Sequence, residues 1–427
     1  MKGVQEMKDT AEKKAKQILT AFTLALTLAA CGSTAEAKAE SSAVTATLST
    51  EETASVVHTV SSQEGTALDT ADMFTERDLE QSADLSKAVS CPLSSGKNIS
   101  ITEEGVYVLT GEATDVTVTV NAPSDAKVQI VLDNVTVTNT DHPVIDVISA
   151  DKVFVTTTDG TSTLTVSGTF SEDGDTKKDA VIFSKDDLVL SGNGTLRIVS
   201  SDNGITSKDD LKITGGTYVI EAKDHALEAN DSIRIADGTL TLTAGKDGIH
   251  AGDDDDDTVG FVYIGNGTIN ISAGDDCIHA VTIAQIDSGS ITAEGHEGIE
   301  ATWVQINGGT IVLNASDDGI NATRKSGSYT TLAEFTGGDV TITMASGDTD
   351  AVDSNGNLVI SGGTINITGQ SAFDFDGSVS FTGGTVIVNG KEQTQITGSM
   401  MKGQGMGMQN DGSMPQGGMN GGMHRRA

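Results

Sequence analysis

The chain has 427 residues and a formal net charge of −35, with 61 Asp or Glu residues against 26 Lys or Arg. This charge argues against nucleic acid as a ligand, because phosphates attract cationic side chains, and against direct binding to an anionic membrane. An excess of carboxylates suits divalent cations such as Ca²⁺, which prefer oxygen ligands. The alternative is that the acidity only keeps a surface protein soluble.

The N-terminus predicts a lipoprotein signal peptide over residues 1–30. Several lysines precede an apolar run from Ile18 to Ala30, which is too short to span a bilayer. The run ends in Leu-Ala-Ala before Cys31, which resembles a bacterial lipobox whose Cys is lipidated. The alternative is ordinary cleavage after Ala30 with Cys31 left free. We therefore expect a protein secreted to the extracellular face of the cell membrane and held there only by its lipid.

Both flanks of the chain are low in hydrophobic periodicity. Residues 31–94 are rich in Ala, Ser, Thr and Glu, which predicts a flexible tether, with a short helix within 70–87 as an option. Residues 391–427 are rich in Gly and Met, which predicts a disordered tail.

A repeated phrase occupies the part of the chain from residue 202 onward: a small residue, an aliphatic, a polar residue, and Ala or Ser. Successive small residues are 22, 22, 29, 21, 21, 32 and 21 positions apart. The first residues of the eight copies are Gly204, Ala226, Gly248, Cys277, Gly298, Gly319, Ala351 and Ala372. Such a period is typical of a solenoid.

Each repeat contains three short runs of alternating apolar and polar residues, separated by Gly-rich turns, which predicts three strands. Three strands in about 21 residues cannot bury their own apolar faces, so each rung must stack on the next. The sequence therefore predicts an all-β protein with a parallel β-helix over residues 95–390. A β-sandwich followed by a β-helix is the alternative.

Alternation also predicts which side chains point outward. The polar residue of each phrase forms one outward row, and the residue before the small position forms a second row rich in acids. Carboxylates stacked at about 4.8 Å repel one another unless cations or hydrogen bonds intervene. The candidate Ca²⁺ ligands are Asp247, Asp253, Asp275, Asp276, Glu297, Glu300, Asp317, Asp318, Asp350 and Asp353.

Two other interpretations of these rows stay open. Most of the acids could be turn residues that cap the local backbone. His250 and His279 fall on adjacent rungs of one row, where a hydrogen-bonded ladder is favoured over a transition-metal pair.

Two repeats carry insertions between their first and second strands, at residues 252–258 and 324–329. Between them the second strand presents outward apolar and polar side chains, which predicts a trough with an aromatic platform for a sugar ring. The alternative is that an insertion folds over this stripe and buries it. The candidate carbohydrate-binding residues are Trp303, Phe261, Tyr263, Arg234, Gln305 and Tyr329.

Three parts of the sequence resemble a bacterial family of carbohydrate-binding domain-containing proteins. They are the run Asp202-Asn203-Gly204-Ile205-Thr206-Ser207-Lys208-Asp209-Asp210-Leu211 and the segments Gly105–Gly111 and Val131–Val135. The resemblance covers roughly residues 95 to 345. It implies a right-handed, pectate-lyase-like parallel β-helix that binds Ca²⁺ and either cellulose-like glucans or acidic sugars such as polygalacturonate. It implies no established catalysis.

We therefore expect a monomeric surface protein that binds polysaccharide, from plant cell walls or bacteria, with Ca²⁺ and without catalysis. A structural or adhesive rod and a Ca²⁺-dependent polysaccharide lyase are the alternatives. Lyase activity is disfavoured because each acid sits in a repeated row, as scaffold residues do, and a fold alone gives no activity.

Overall fold

The computed structural model describes residues 67–171, 177–347 and 349–397. These ranges contain one 3₁₀ turn, Leu85–Lys87, and 34 strands, numbered β1 to β34 along the chain. None of the described helices is long and apolar enough to cross a membrane. The strands stack into three long faces.

The first face carries the repeated phrase. Its strands are β2 (Ile99–Ile101), β4 (Val118–Asn121), β6 (Ile145–Ser149), β9 (Ala180–Ser184), β12 (Asn203–Ser207), β15 (Leu227–Ala229), β18 (Ile249–Ala251), the first halves of β21 (Asp276–Ile286) and β23 (Glu297–Ile306), β25 (Ile320–Ala322), β28 (Asp350–Ser354) and β31 (Ser371–Phe375).

The second face follows the first within each rung. Its strands are β1 (Val89–Pro92), the first halves of β3 (Gly105–Thr114) and β5 (Lys127–Asn139), β7 (Lys152–Thr157), β10 (Asp187–Gly192), β13 (Asp210–Ile213), β16 (Ser232–Ile235), β19 (Phe261–Ile264), the second halves of β21 and β23, β26 (Leu332–Phe335), β29 (Asn357–Ile360) and β32 (Val379–Phe381).

The third face completes each rung. Its strands are the second halves of β3 and β5, β8 (Thr161–Val166), β11 (Thr195–Ser200), β14 (Thr217–Ala222), β17 (Thr239–Ala244), β20 (Thr268–Ala273), β22 (Ser290–Gly295), β24 (Thr310–Ala315), β27 (Asp339–Met344), β30 (Thr364–Thr368), β33 (Thr385–Val388) and β34 (Lys391–Gln393).

Strands pair in parallel with their counterparts on neighbouring rungs, and on the first face the repeated phrases align residue for residue. Only β34 pairs antiparallel among the described strands, folding back on β33 at the end of the coil. The parallel β-helix with three strands per rung is therefore confirmed, and the alternative with a separate β-sandwich is wrong. Strands run from Val89 to Gln393, slightly beyond the predicted 95–390.

The core is a column of aliphatic side chains contributed by equivalent positions of successive rungs. On the first face Ile249, Ile278, Ile299 and Ile320 are fully buried above one another. Each such burial contributes about 1.5–3 kcal/mol. The small residue of the phrase lies beside this column: a Cβ on Gly248 would collide with Ile271 of the third face. Gly248 therefore has no room for a Cβ, whereas other rungs accommodate the small side chains of Ala226 and Cys277 at this position.

Glycines at the corner before the third face have a different role. Gly216 has φ +90°, Gly238 +133° and Gly384 +83°, a region that L side chains rarely adopt. These residues turn the chain into each Gly-Thr strand, as the sequence predicts.

The structure differs from the predicted tether in residues 68–81, which we call the strap. The strap packs along the second face and is fixed by Asp78, which is fully buried against Lys152 (Oδ1 to Nζ 3.2 Å) and Lys212 (Oδ2 to Nζ 3.6 Å). Gln81 adds hydrogen bonds from its Nε2 to the carbonyl oxygen of Thr214 and from the Gly192 N–H to its Oε1. Burial alone would raise the pKa of Asp78, but the Thr75 N–H and the two lysines outweigh it and lower that pKa.

We predict that Asp78→Ala lowers the free energy of unfolding by about 3–5 kcal/mol, because two lysines are left buried without this partner. Urea denaturation measures the change. Asp72→Ala, at an exposed strap position, is the matched control and should be nearly neutral. An equal, small effect of both substitutions would show that the strap is not anchored through Asp78.

Candidate functional site

The outward polar residues of the first face form one continuous row, which we call the outer ladder. Adjacent members are direct partners in the parallel pairing, as the repeat predicts. The row consists of Thr206, Glu228, His250, His279, Glu300, Asn321, Asp353 and Asp374.

A second row lies three residues earlier in each phrase, and we call it the corner row. Its members are Asn203, His225, Asp247, Asp276, Glu297, Asp318 and Asp350. Several accept hydrogen bonds from the backbone of the next rung: Asp247 Oδ1 from the Asp276 N–H (3.0 Å) and Asp318 Oδ1 from the Asp350 N–H (3.1 Å). The acids therefore do cap the backbone, but across rungs rather than within their own turn.

The two rows meet in a histidine segment formed by His225, Asp247, His250, Asp276 and His279. Nδ1 of His250 lies 2.7 Å from Asp247 Oδ2, and Nδ1 of His279 lies 2.9 Å from Asp276 Oδ2. The rings stack along the coil, with centroids 4.5 Å apart between the first two and 4.7 Å apart between the next two. These contacts are those of the hydrogen-bonded ladder favoured by the sequence.

Glu300 closes the histidine segment and is neutralised there. Its Oε2 lies 2.9 Å from His279 Nδ1 and 2.9 Å from Lys325 Nζ. Burial alone would lower the pKa of His279, but Asp276 and Glu300 outweigh it and raise that pKa to about 9. Against the effect of its own burial, the pKa of Glu300 is lowered by His279 and Lys325.

Beyond Glu300 the rows become an acid segment formed by Glu297, Asp318 and Asp353. None of these three forms an ion pair with a described Lys, Arg or His side chain. Burial and the carboxylates of Asp276 and Glu300 raise the pKa of Glu297 to about 8. Burial and neighbouring aspartates likewise raise the pKa of Asp318 to about 7 and that of Asp353 to about 6. Burial and mutual repulsion therefore oppose ionisation of the segment, and its full negative charge develops only above neutral pH.

Asn321 lies within the acid segment on the outer ladder. Its Nδ2 donates to Glu297 Oε2 (3.0 Å), while its Oδ1 is buried and has no hydrogen-bond partner in the described part of the chain. A carboxamide oxygen without a partner beside several carboxylates is the kind of donor set that Ca²⁺ takes.

The structure brings together only some of the predicted Ca²⁺ ligands. Asp276, Glu297 and Glu300 offer oxygens within 4.8 Å of one another, and Asp317 forms a similar group with His296 and Glu297. Two predicted ligands lie elsewhere. Asp275 is exposed beside His296, and Asp253 accepts a hydrogen bond from Asn230 at the corner between the first and second faces. Asp247 Oδ2 lies within pairing distance of His225 and His250. Asp350 is next to the acid segment, since its N–H donates to Asp318.

The predicted aromatic platform is wrong as an exposed surface. Trp303 points away from the core but is only 4% exposed, packed with Ile283 and Leu332. Leu68 of the strap and Tyr329 of the second insertion cover this cluster. The two insertions also meet, since the Gly327 N–H donates to Asp257 Oδ2 (2.8 Å). The alternative, that the stripe is covered, is confirmed, and the strap contributes to the cover.

The other predicted carbohydrate-binding side chains are engaged in internal contacts. Tyr263 is buried and donates to Asp287, and Gln305 is buried and donates to Glu334. Arg234 pairs with both oxygens of Asp210 (2.9 and 2.8 Å) and lies over the half-buried Phe261 ring. They stabilise the covered second face instead of forming an open trough.

Sequence reasoning missed two parts of the site. Lys325 was treated only as part of an insertion, although it pairs with Glu300. The strap was assigned to the tether, and its Met73-Phe74 pair in a polar stretch was the available signal. The predicted lipidation site, Cys31, and residues 398–427 of the predicted tail lie outside the described residues, whereas the start of that tail forms β34 (Lys391–Gln393).

Comparisons with known proteins point to one family. A family model for carbohydrate-binding domain-containing proteins matches residues 95–351. A carbohydrate-binding domain-containing protein of Acetivibrio thermocellus is 35% identical over 131 residues, which are 30% of this chain and 46% of that protein. The chain therefore spans less than half the length of this relative.

A solved structure of the polysaccharide lyase-like protein from C. thermocellum, as a gadolinium derivative, is also similar. It is 31% identical, with a TM-score of 0.47, and the match covers 50% of this chain and 92% of that chain.

We predict that Trp303→Ala lowers the free energy of unfolding by about 3–5 kcal/mol, because the change leaves a cavity under the strap. Binding of the folded variant to polysaccharide should be unchanged, since the ring is covered. Denaturation and a retention assay measure the two effects. Lost retention with unchanged stability would instead support an exposed platform.

We also predict that the protein in chelator becomes less stable as the pH rises from 5 to 8. The raised pKa values of Glu297, Asp318 and Asp353 mean that the folded state holds protons more tightly than the unfolded chain does, so ionisation costs stability. The raised pKa of His279 acts in the same direction as the pH approaches 9. Urea denaturation at several pH values measures the slope.

The control for this slope is the double variant Glu297→Gln, Asp318→Asn, which should show a flatter dependence. Stability that rises over this range in the wild type, or an unchanged slope in the variant, would contradict the raised pKa values of the acid segment.

Proposed function

The chain belongs to the carbohydrate-binding domain-containing protein family, and from this premise we propose that it is a surface-displayed, non-catalytic module that binds acidic polysaccharide through Ca²⁺ held on the first face. The family supports polysaccharide binding in general. The cation, the class of sugar and the location on the cell are our proposal.

The observation that carries the proposal is the acid segment. Three half-buried carboxylates lie on this face without cationic partners among the described residues. Asn321, whose Oδ1 has no hydrogen-bond partner within the same part of the chain, donates to Glu297 and pairs with Asp353 in the parallel register. Ca²⁺ coordinates six to eight oxygens and tolerates irregular geometry, so side chains on adjacent rungs suit it. Ca²⁺ would offset both the burial and the repulsion that raise these pKa values.

Charge favours an acidic sugar as the ligand. A protein with a net charge of −35 repels a polyuronate unless cations lie between them. A Ca²⁺ ion held by a few protein oxygens keeps coordination positions for the carboxylates of such a sugar. A cellulose-like glucan, the other predicted ligand, carries no charge and therefore gains no such electrostatic attraction from the ion.

A binding role fits the ladder better than a lyase role. The acids and histidines of the first face cap backbone N–H groups or pair with neighbours, which are structural duties. Two lysine side chains near these rows are also engaged, Lys325 with Glu300 and Lys208 with Glu228. A rod without a sugar site would not need an uncompensated acid segment. Display through lipidated Cys31 would place the coil outside the membrane.

We predict that wild-type protein is retained on immobilised polygalacturonate with Ca²⁺ and released by chelator. The variant Glu297→Gln, Asp318→Asn, Asp353→Asn should bind Ca²⁺ at least tenfold more weakly, a loss of about 1.4 kcal/mol or more, and lose retention. Calorimetry and a column assay measure both quantities.

The matched control carries the same change in charge at exposed positions, Glu112→Gln, Asp125→Asn, Asp159→Asn, and should bind as the wild type does. Equal loss in both triple variants would reduce the effect to net charge. Absorbance from unsaturated uronate products would establish the lyase alternative, and retention on cellulose that ignores chelator would favour a neutral glucan.

A further inference from the structure

The histidine segment differs chemically from the acid segment further along the same face. Calcium prefers oxygen ligands, whereas imidazole nitrogen suits zinc, copper, iron and nickel. His225, Asp247 and His250 place two imidazole nitrogens and a carboxylate oxygen within 4.8 Å of one another. We propose that these three residues form a separate site for a divalent transition metal such as Zn²⁺. This inference goes beyond the proposed function and does not depend on it.

The distances fit a metal of this class. Zinc binds imidazole nitrogen at about 2.0–2.1 Å and carboxylate oxygen at about 2.0–2.2 Å, so ligand atoms around a tetrahedral ion lie roughly 3.3 Å apart. Nδ1 of His225 lies 3.3 Å from Asp247 Oδ2, which matches. Nδ1 of His250 lies 2.7 Å from the same oxygen and needs only a small outward shift.

The contacts of His225 place both ring nitrogens beside carboxylate oxygens, Nε2 beside Asp224 and Nδ1 beside Asp247. Its Nδ1 accepts from the Asp247 N–H (3.3 Å) and also faces Asp247 Oδ2, which is an acceptor. A neutral ring with its proton on Nε2 satisfies the N–H but sets two acceptors against each other. A ring protonated on Nδ1 satisfies the carboxylate but leaves the N–H without this acceptor. A metal ion between the ring and the carboxylate would separate the two acceptors, and because Nδ1 has one lone pair it would take that lone pair from the Asp247 N–H.

Neighbouring residues hold the ligands in place. His279 stacks on His250 with an interplanar angle of 17°, which orients that ring. Asp247 is fixed because its Oδ1 accepts from the Asp276 N–H. Glu228, the rung neighbour of His250, is fixed by Asn203 Nδ2 (2.7 Å) and Thr206 Oγ1 (2.8 Å) and adds negative charge nearby. Such supporting contacts are characteristic of metal sites.

The three protein ligands leave one tetrahedral position for water or for a ligand atom. Binding would displace the proton between His250 Nδ1 and Asp247 into solvent, so metal uptake releases protons. No electron transfer is involved, and the metal would bridge neighbouring rungs of the coil.

The test uses the full chain, stripped of metal with chelator and titrated with Co²⁺ as a spectroscopic probe and with Zn²⁺ by calorimetry. We expect visible ligand-field absorption from nitrogen-ligated Co²⁺, displaced by Zn²⁺ but not by excess Ca²⁺. His225→Gln and His250→Gln should each weaken this binding at least tenfold. Failure of the calcium proposal would leave these results unaffected.

The matched control is His142→Gln, because His142 also pairs with an aspartate, Asp141 (Nδ1 to Oδ1 2.7 Å), but lies outside the ladder. This control variant should bind Co²⁺ as the wild type does. Any metal bound elsewhere on the chain contributes equally to all variants and therefore cancels in the comparison. Absence of nitrogen-ligated Co²⁺ in the wild type overturns the proposal whether or not the variants fold. Equal Co²⁺ binding by the folded variants His250→Gln and His142→Gln overturns the proposal as well.

Discussion

The parallel register between successive rungs is the constraint on which the rest of the structure depends. Because each strand pairs with its equivalent one rung away, any side chain type that recurs in the sequence becomes a row in space. Inside the coil, the rows are aliphatic and form the core. Outside, the same rule sets charged groups at the spacing of a β-sheet, where like charges must be separated or neutralised.

The two segments of the first face differ in how the repulsion between like charges is compensated. In the histidine segment, imidazoles pair with carboxylates, and Lys325 supplies a further positive charge next to Glu300. In the acid segment, carboxylates follow one another with only Asn321 between them on the outer ladder. The first arrangement is internally balanced and rigid. Under our proposal a cation bound by the second arrangement would stabilise it, so that binding and stability would be linked there.

The sequence predicts the coil and the first face well because both follow from periodicity. The direction of Trp303 was also correct, since alternation alone fixes it. The predicted exposure of Trp303 was wrong, because the strap and the two insertions cover it and these are the aperiodic parts of the chain. Likewise, the row position of Asp247 was predictable, but its pairing with His225 and His250 depends on side-chain rotation, which periodicity does not determine.

The most direct measurement is a crystal structure of the protein grown with Ca²⁺, with the ions located by anomalous scattering. The account predicts His279, Glu300 and Asn321 in adjacent rungs of one row, and a calcium peak within bonding distance of Glu297, Asp318 or Asp353. A peak confined to the exposed insertion at residues 252–258, or rungs shifted so that these side chains no longer align, would contradict it.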